Sequence, residues 1–165
     1  LRLLSDIFAF FDNEVRAKAL TSEGETMDKL LFGSVLVQVV LTLVMMVLMG
    51  KRRFKAAKNR ELPFKAFRVM DLTGANEQVI TASRNFDNQF QLPMLYLFAV
   101  AFAMQFAVVD LSLVILGWLF AISRLVHAYV HVGANHVRLR FAVYLFGALA
   151  LLLFWLRVSM LYLLA

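Results

Sequence analysis

The chain contains no cysteine, only two prolines and seven glycines among its 165 residues. Without cysteine there are no disulfides, thiolate metal sites or protein thiol nucleophiles. The scarcity of glycine and proline disfavours a fold of many strands joined by turns. Charged residues make up 17% and hydrophobic residues 62% of the chain, against about 25% and roughly 45–50% in soluble domains. This composition argues against soluble and disordered classes and indicates a small, all-α integral membrane protein.

Long apolar stretches predict four transmembrane helices in a bundle. The first stretch, Leu30 to Met49, holds 20 residues without a charge. At about 1.5 Å per residue it covers roughly 30 Å, one hydrocarbon core. The four spans are expected at about residues 30–49, 92–109, 111–132 and 141–164.

Residues typical of helix caps and helix breaks predict where the helices of these spans begin and end. Thr73 or Gly74 is expected to begin the helix that contains the second span, and Pro93 to bend it. The second and third spans are expected to meet in a tight hairpin at Asp110. Gly133 is expected to end the third helix and Asn135 to cap the fourth.

A basic loop at residues 51–78 sets the predicted orientation. Eight Lys or Arg lie between Lys51 and Arg68, whereas residues 1–29 hold six acids and four bases. The positive-inside rule then places the N-terminus and the C-terminus outside and this loop inside. The basic run is therefore a topology signal rather than a nucleic-acid patch, with affinity for anionic lipid headgroups as a secondary possibility.

The N-terminal segment, residues 1–29, is amphipathic and precedes the first span. Its apolar side chains fall on one helical stripe, which suggests a helix lying in the membrane interface. An ordinary helix packed on its neighbours is the alternative. The stripe consists of Leu4, Ile7, Phe8, Phe11 and Val15. The whole chain, residues 1–165, is predicted to form a single membrane domain.

Polar side chains at membrane depth are costly and usually face a cavity or each other. Two such sets occur at helical spacing, and both lie toward the predicted inner side. One set is Arg84, Asn88 and Gln91; the other is Arg124, His127 and His131, followed by Arg138 and Arg140. We expect them to line one polar cavity that suits an anion.

Other interpretations of these polar residues remain open. The same side chains could form a hydrogen-bond network that only fixes helix packing, and Gln38 in the first span is assigned to packing. A single metal held by Asp87, His127 and His131 is a further alternative. Near the outer surface, Asp110 and Arg157 are expected to form a structural ion pair. Tyr129 should point away from the histidine face and has no assigned role.

Two of these motifs resemble signatures of the MAPEG family (membrane-associated proteins in eicosanoid and glutathione metabolism). The stretch from Arg84 to Pro93, with Asn88 four residues after Arg84, is similar to the second-helix signature of the family. The series Arg124-x-x-His127-x-x-x-His131 resembles the family's Arg-x-x-His-x-x-x-Tyr. Gln91 stands where the family has Glu, and His131 where it has Tyr. The resemblance is closest to an uncharacterised bacterial branch.

The resemblance implies a homotrimer in the bacterial inner membrane that binds glutathione between subunits. Arg140 would lower the pKa of the glutathione thiol, and a hydrophobic electrophile would enter from the bilayer, in a transferase or peroxidase reaction. A non-catalytic trimer that binds lipids or a partner is the alternative, because Gln91 and His131 depart from the family pattern. The glutathione-binding residues would be Arg84, Asn88, Gln91, Arg124, His127, His131 and one of Arg138 or Arg140.

Overall fold

The structure is a computed structural model that describes the backbone of residues 2–69 and 71–164. Its side chains are described for residues 21–63, 65–69 and 71–164. The described part is entirely helical and contains no strand, which confirms the predicted all-α class. In chain order the helices are α1 Arg2–Lys58, α2 Phe64–Arg68, α3 Glu77–Asn88, α4 Leu92–Gln105, α5 Leu111–Val132 and α6 Val137–Leu163.

The first helix extends beyond the predicted span. It continues from Met49 to Lys58, so the first residues of the predicted basic loop are helical. This stretch is rich in Lys, Arg and Ala, which favour helix, and it contains no breaker. The helix ends where Arg60 adopts φ 58° and the Glu61 N–H donates to the Ala56 carbonyl at 2.9 Å. The apolar stripe predicted near the N-terminus lies outside the described side chains.

The basic residues at this end of α1 also join helices. Arg52 donates from Nη1 to the Gln78 carbonyl and from Nη2 to the Val132 carbonyl, each at 2.9 Å. The Val132 carbonyl belongs to the last turn of α5, where carbonyls lack helical partners. Arg52 therefore ties α1 to the start of α3 and the end of α5, in addition to its part in the topology signal.

The stretch predicted to contain the second span forms two helices, α3 and α4. Helix α3 begins after Asn76, whose side chain accepts a hydrogen bond from Val79 N at 3.0 Å. Asn76 is therefore the cap, and the expected cap at Thr73 or Gly74 is wrong. The break at residues 89–91 precedes Pro93, which has no N–H and whose ring would clash with the carbonyl four residues earlier.

The connection between α4 and α5 is longer than the predicted hairpin. Helix α4 ends at Gln105, four residues before the expected end of the span. Ala107 adopts φ 52°, and the Val108 N–H donates to the Ala103 carbonyl at 3.0 Å. This left-handed residue reverses the chain before Asp110 begins α5.

Asp110 pairs with Arg157, as predicted, and it also caps α5. Its carboxylate accepts from Leu113 N at 2.9 Å, from Ser112 Oγ at 2.6 Å, and from Arg157 Nη2 at 2.6 Å. Burial favours the neutral acid, but these hydrogen bonds and the Arg157 charge together lower the pKa of Asp110 below its ordinary value. The pair joins the start of α5 to the last part of α6.

The turn between α5 and α6 differs from the prediction at one residue. Gly133 ends α5 as expected, but His136, not Asn135, precedes the first residue of α6. Asn135 adopts φ 49°, and its backbone N–H donates to the Val130 carbonyl at 2.8 Å. Its amide contacts other helices, so the expected capping role of Asn135 is wrong.

Tyr96 lies at the centre of the buried core. Its ring centroid is 4.5 Å from that of Phe120 on α5 and 5.8 Å from that of Phe154 on α6. The Ser34 hydroxyl donates to the Leu31 carbonyl at 2.5 Å and is also hydrogen-bonded to the Tyr96 hydroxyl. Because Ser34 has one proton to donate, Tyr96 is the donor in that second bond. The core thus joins α1, α4, α5 and α6.

Within the described residues, three helices are long and apolar enough to cross a bilayer. They are residues Thr21–Lys58 of α1, Leu111–Val132, and Val137–Leu163. Large apolar side chains cover the outer faces of α1 and α6, as in Leu36, Val40, Leu149 and Leu152. A surface of this kind is suited to lipid rather than water. The chain is therefore an integral membrane protein.

Close helix packing at Gly117 yields a stability prediction. A Cβ at Gly117 would lie 2.7 Å from Leu31 Cδ1 and 2.8 Å from the Tyr96 hydroxyl, whereas one at Gly50 would meet no atom within 4 Å. We expect Gly117→Ala to destabilise the protein by about 1–3 kcal/mol through overpacking. Gly50→Ala should leave stability unchanged or raise it by up to about 1 kcal/mol. Thermal unfolding in detergent measures both, and equal effects would contradict the packing described.

Candidate functional site

A polar cavity of about 460 Å³ opens beside α3, α5 and α6. This volume lies within the roughly 300–1,000 Å³ range of small-molecule sites. No described side chain of α1 lines it. The lining residues are Arg84, Asp87, Asn88, Gln91, His127, His131, Val137, Arg140, Phe141 and Tyr144. The structure thus brings six of the eight sequence-predicted residues to one cavity.

The α3 wall carries one cation, one acid and two amides. Arg84, Asp87 and Asn88 fall within one turn of the helix and face the cavity because residues three and four apart share a helical face. Gln91 follows in the break before α4, with φ −102° and ψ −108°. No described residue forms an ion pair with the Asp87 carboxylate. Its charge therefore remains available to a bound molecule.

The α5 wall presents two imidazoles whose ring centroids are 5.5 Å apart. His127 Nδ1 lies 3.2 Å from the Arg140 carbonyl oxygen. A carbonyl only accepts, so Nδ1 carries the proton and the neutral ring leaves Nε2 as an acceptor. Among the described residues nothing hydrogen-bonds to His127 Nε2 or His131 Nδ1, and both atoms are buried.

Arg124 lies behind this wall and does not line the cavity. It is 1% exposed, and its Cζ lies 5.7 Å from the centroid of the Tyr144 ring. Within the described part of the chain no acceptor lies within hydrogen-bond distance of its three guanidinium nitrogens. A buried cation of this kind is expensive unless an anion or water reaches it.

The α6 wall contains only one of the two arginines at the start of this helix. Arg140 lines the cavity, whereas Arg138 is exposed and does not. The Arg140 Nη1 donates to Asn135 Oδ1 at 2.6 Å. Tyr144, one helical turn further on, also lines the cavity and was missed by the sequence analysis. Its spacing of four residues from Arg140 is the signal that could have found it.

Of two other polar residues, Gln38 has a role in packing and Tyr129 has no role in the cavity. Gln38 is 1% exposed and donates from Nε2 to Gln89 Oε1 at 2.9 Å. Gln89 in turn donates to the side chain of Asn85 at 2.9 Å. This amide chain joins α1 to α3 behind the cavity, in agreement with a packing role for Gln38. Tyr129 is 80% exposed and lies outside the cavity.

The charges of the cavity suit an anion that also carries an amine. Two guanidinium groups, Arg84 and Arg140, line it together with one carboxylate, Asp87. Guanidinium groups bind carboxylates through paired hydrogen bonds, and a carboxylate binds an ammonium. A metal is less suited, because no group of three His, Asp or Glu in the described residues could hold one.

The fold and the cavity define a class: a helical membrane protein with a cationic site beside three of its helices. Comparison with models of protein families identifies the family within this class. The model of the MAPEG family matches residues 31–160, most of the chain, and the protein belongs to that family. No curated protein and no solved structure matches the chain. The resemblance based on Arg84–Pro93 and the Arg124 series is thus confirmed at the level of the family.

The unpartnered Arg124 yields a prediction that separates stability from binding. A buried charge without a partner carries a desolvation cost that an apolar side chain of similar size does not have. We therefore expect Arg124→Met to retain or raise the melting temperature of the ligand-free protein in nanodiscs. Arg84→Met, at an exposed cation of the same cavity, is the control and should change it little. A large loss of stability in Arg124→Met would show that Arg124 has a structural partner in the bilayer.

Proposed function

We propose that this protein binds glutathione, or a similar thiol-bearing anion, in the cavity and conjugates or reduces hydrophobic electrophiles with it. The observation that carries the proposal is the convergence of Arg84, Arg140, His127 and His131 on a single cavity of ligand size. Family membership supports the same class of ligand. The steps that follow concern assembly, ligand fit and chemistry.

The proposed assembly is a homotrimer of four-span subunits in the bacterial inner membrane, with both termini outside. Helices α3 and α4, with the break between them, would form the second span, because α4 alone is only 14 residues long. Several lining residues are exposed in the single subunit, among them Arg84, Asp87 and Phe141. A neighbouring subunit placed against this face would complete the cavity and bury them.

The residues of the cavity fit the groups of glutathione. One of its carboxylates matches Arg84, which lines the cavity, and the positive charge of Arg124 behind the wall adds to the attraction for an anion. Its amino group matches Asp87, which supplies a carboxylate one turn before Gln91. Asn88 and Gln91 have the donors and acceptors that a peptide backbone requires.

Arg140 is the residue proposed to activate the thiol. A free thiol has a pKa near 8.5, and an adjacent guanidinium favours the thiolate. Bound glutathione would supply the thiolate whose electron pair forms a bond to an electrophilic carbon while the leaving group departs. His127 keeps Arg140 in place through its hydrogen bond to the Arg140 carbonyl, and its Nε2 offers an acceptor for the thiol proton. The apolar Val137 and Phe141 line the same cavity and offer contacts to a lipophilic substrate.

Two residues favour the alternative, a non-catalytic trimer that binds a lipid or a partner. Gln91 provides a neutral amide and His131 an imidazole at positions where the family signature has Glu and Tyr. The cationic cavity at the inner interface would then accept an anionic lipid headgroup. A tightly held lipid that co-purifies and that glutathione does not displace would support this alternative.

A turnover assay tests the proposed activity and the role of Arg140. Purified protein in detergent is given glutathione and a chromogenic electrophile, and we expect thiol-dependent turnover. Arg140→Gln should lower the rate at pH 7 by about tenfold or more, because a rise of one unit in the thiol pKa removes most of the thiolate. Arg138→Gln, an exposed arginine two residues away, is the matched control and should stay within about twofold. Absence of both turnover and binding at millimolar glutathione would refute the proposal.

A second variant tests how the ligand amine is recognised. We expect the wild-type protein to bind glutathione about tenfold more tightly than its deaminated analogue, a difference of about 1.4 kcal/mol. Asp87→Asn should abolish this preference and leave the affinity for the analogue nearly unchanged. Calorimetry with both ligands measures the effect. A preference that survives in Asp87→Asn would assign amine recognition to another residue.

A further inference from the structure

The side chain of Arg140 is connected through one amide to a helix on another wall of the cavity. Its Nη1 donates to Asn135 Oδ1 at 2.6 Å, and Asn135 Nδ2 donates to Glu77 Oε1 at 2.9 Å. Glu77 belongs to the first turn of α3, and Asn135 to the turn between α5 and α6. The three residues therefore join the start of α3 to the start of α6.

The backbone holds Asn135 in the conformation that this connection needs. Its φ of 49° is left-handed, a region that asparagine tolerates better than most residues. Its N–H donates to the Val130 carbonyl at 2.8 Å, which fixes the turn to the end of α5. The amide is thereby held with its oxygen toward Arg140 and its nitrogen toward Glu77.

An amide between Arg140 and Glu77 has an electrostatic consequence. A carboxylate in direct contact with the guanidinium would orient it but would also offset its positive charge. The Asn135 oxygen orients the guanidinium and leaves the charge in place. Asn135 lies between Arg140 and the carboxylate of Glu77. Glu77 therefore fixes the Asn135 amide without pairing with Arg140.

We propose that Asn135 is a positioning residue for Arg140, and that Glu77 acts through Asn135 by fixing the orientation of its amide. The long arginine side chain has many rotamers, and restricting them costs conformational entropy. The Asn135 amide restricts them in the free protein, so the guanidinium is already aimed into the cavity when a ligand arrives. The consequence for thiol activation rests on the proposed function; the positioning itself does not.

The test compares Asn135→Gly with Ala134→Gly in lipid nanodiscs. Glycine at position 135 keeps the left-handed backbone and removes the amide, whereas glycine at 134 adds flexibility to the same turn and leaves the amide intact. Two quantities are measured: the side-chain order of Arg140 by ¹⁵N NMR without ligand, and the pKa of bound glutathione from the ultraviolet band of its thiolate. Arg140→Lys assigns the NMR signal.

We expect the Arg140 side chain to be ordered in the wild-type protein and in Ala134→Gly, and mobile in Asn135→Gly. The thiol pKa should rise by about one unit in Asn135→Gly, an approximately tenfold loss of the thiolate-to-thiol ratio. Glu77→Gln keeps an oxygen that can accept from Asn135 and should retain most of the wild-type behaviour, whereas Glu77→Ala should resemble Asn135→Gly. A merely structural role would change the melting temperature and leave the thiol pKa alone.

The two readouts separate failure of this inference from failure of the proposed function. If Arg140 is equally ordered in the wild-type protein and Asn135→Gly, the positioning role is refuted, even where glutathione binds and reacts. If Arg140 loses order in Asn135→Gly but no variant binds glutathione, the positioning role stands and glutathione is not the ligand. If glutathione binds and its thiol pKa is the same in both proteins, Asn135 has no part in thiol activation and the inference fails.

Discussion

The uncompensated positive charge beside α5 is the constraint on which the rest of the site depends. Arg124 is buried within a helix long enough to span the membrane, and the described residues offer its nitrogens no acceptor. A charge buried in a membrane-spanning helix must contact an anion or water, or it must lie beside a cavity that admits an anion or water. The cavity beside His127 and Arg140 meets this requirement, because it brings polar space next to the buried cation. Stability alone would favour an apolar side chain at position 124, so the charge is better explained by binding.

The helices are arranged to leave this polar space open. The break at residues 89–91 aims Gln91 into the cavity, and Pro93 sits where a missing N–H costs least, in the first turn of α4. Behind the same break, the amides of Gln38, Gln89 and Asn85 bond to each other within the bundle. Tyr96 and the Asp110–Arg157 pair hold the opposite part of the bundle together. The half of the bundle around Asp110 is thus a packed support, and the opposite half carries the site.

Much of this organisation follows from pattern alone, and its limits have physical causes. Helical spacing placed Arg84 with Asn88 and His127 with His131, because residues three, four and seven apart share a face whatever the tertiary structure. The Asp110–Arg157 pair could be predicted because the two residues were expected at a similar depth in the membrane. The helix caps could not be predicted in the same way, because Thr73, Gly74 and Asn76 are all acceptable caps and tertiary contacts decide which one is used. The spacing of four residues from Arg140 could have pointed to Tyr144, whereas the amide of Asn135 acquires its role from helix packing, which no local pattern shows.

The most direct test of the central claim is a structure of the protein in nanodiscs with glutathione sulfonate, whose sulfonate stands in for a thiolate. We expect density for the tripeptide in the cavity, with the sulfonate against Arg140, a carboxylate against Arg84, and a neighbouring subunit closing the site. Density for a lipid in the cavity at a saturating concentration of the analogue would contradict it. So would an empty cavity with the analogue bound elsewhere.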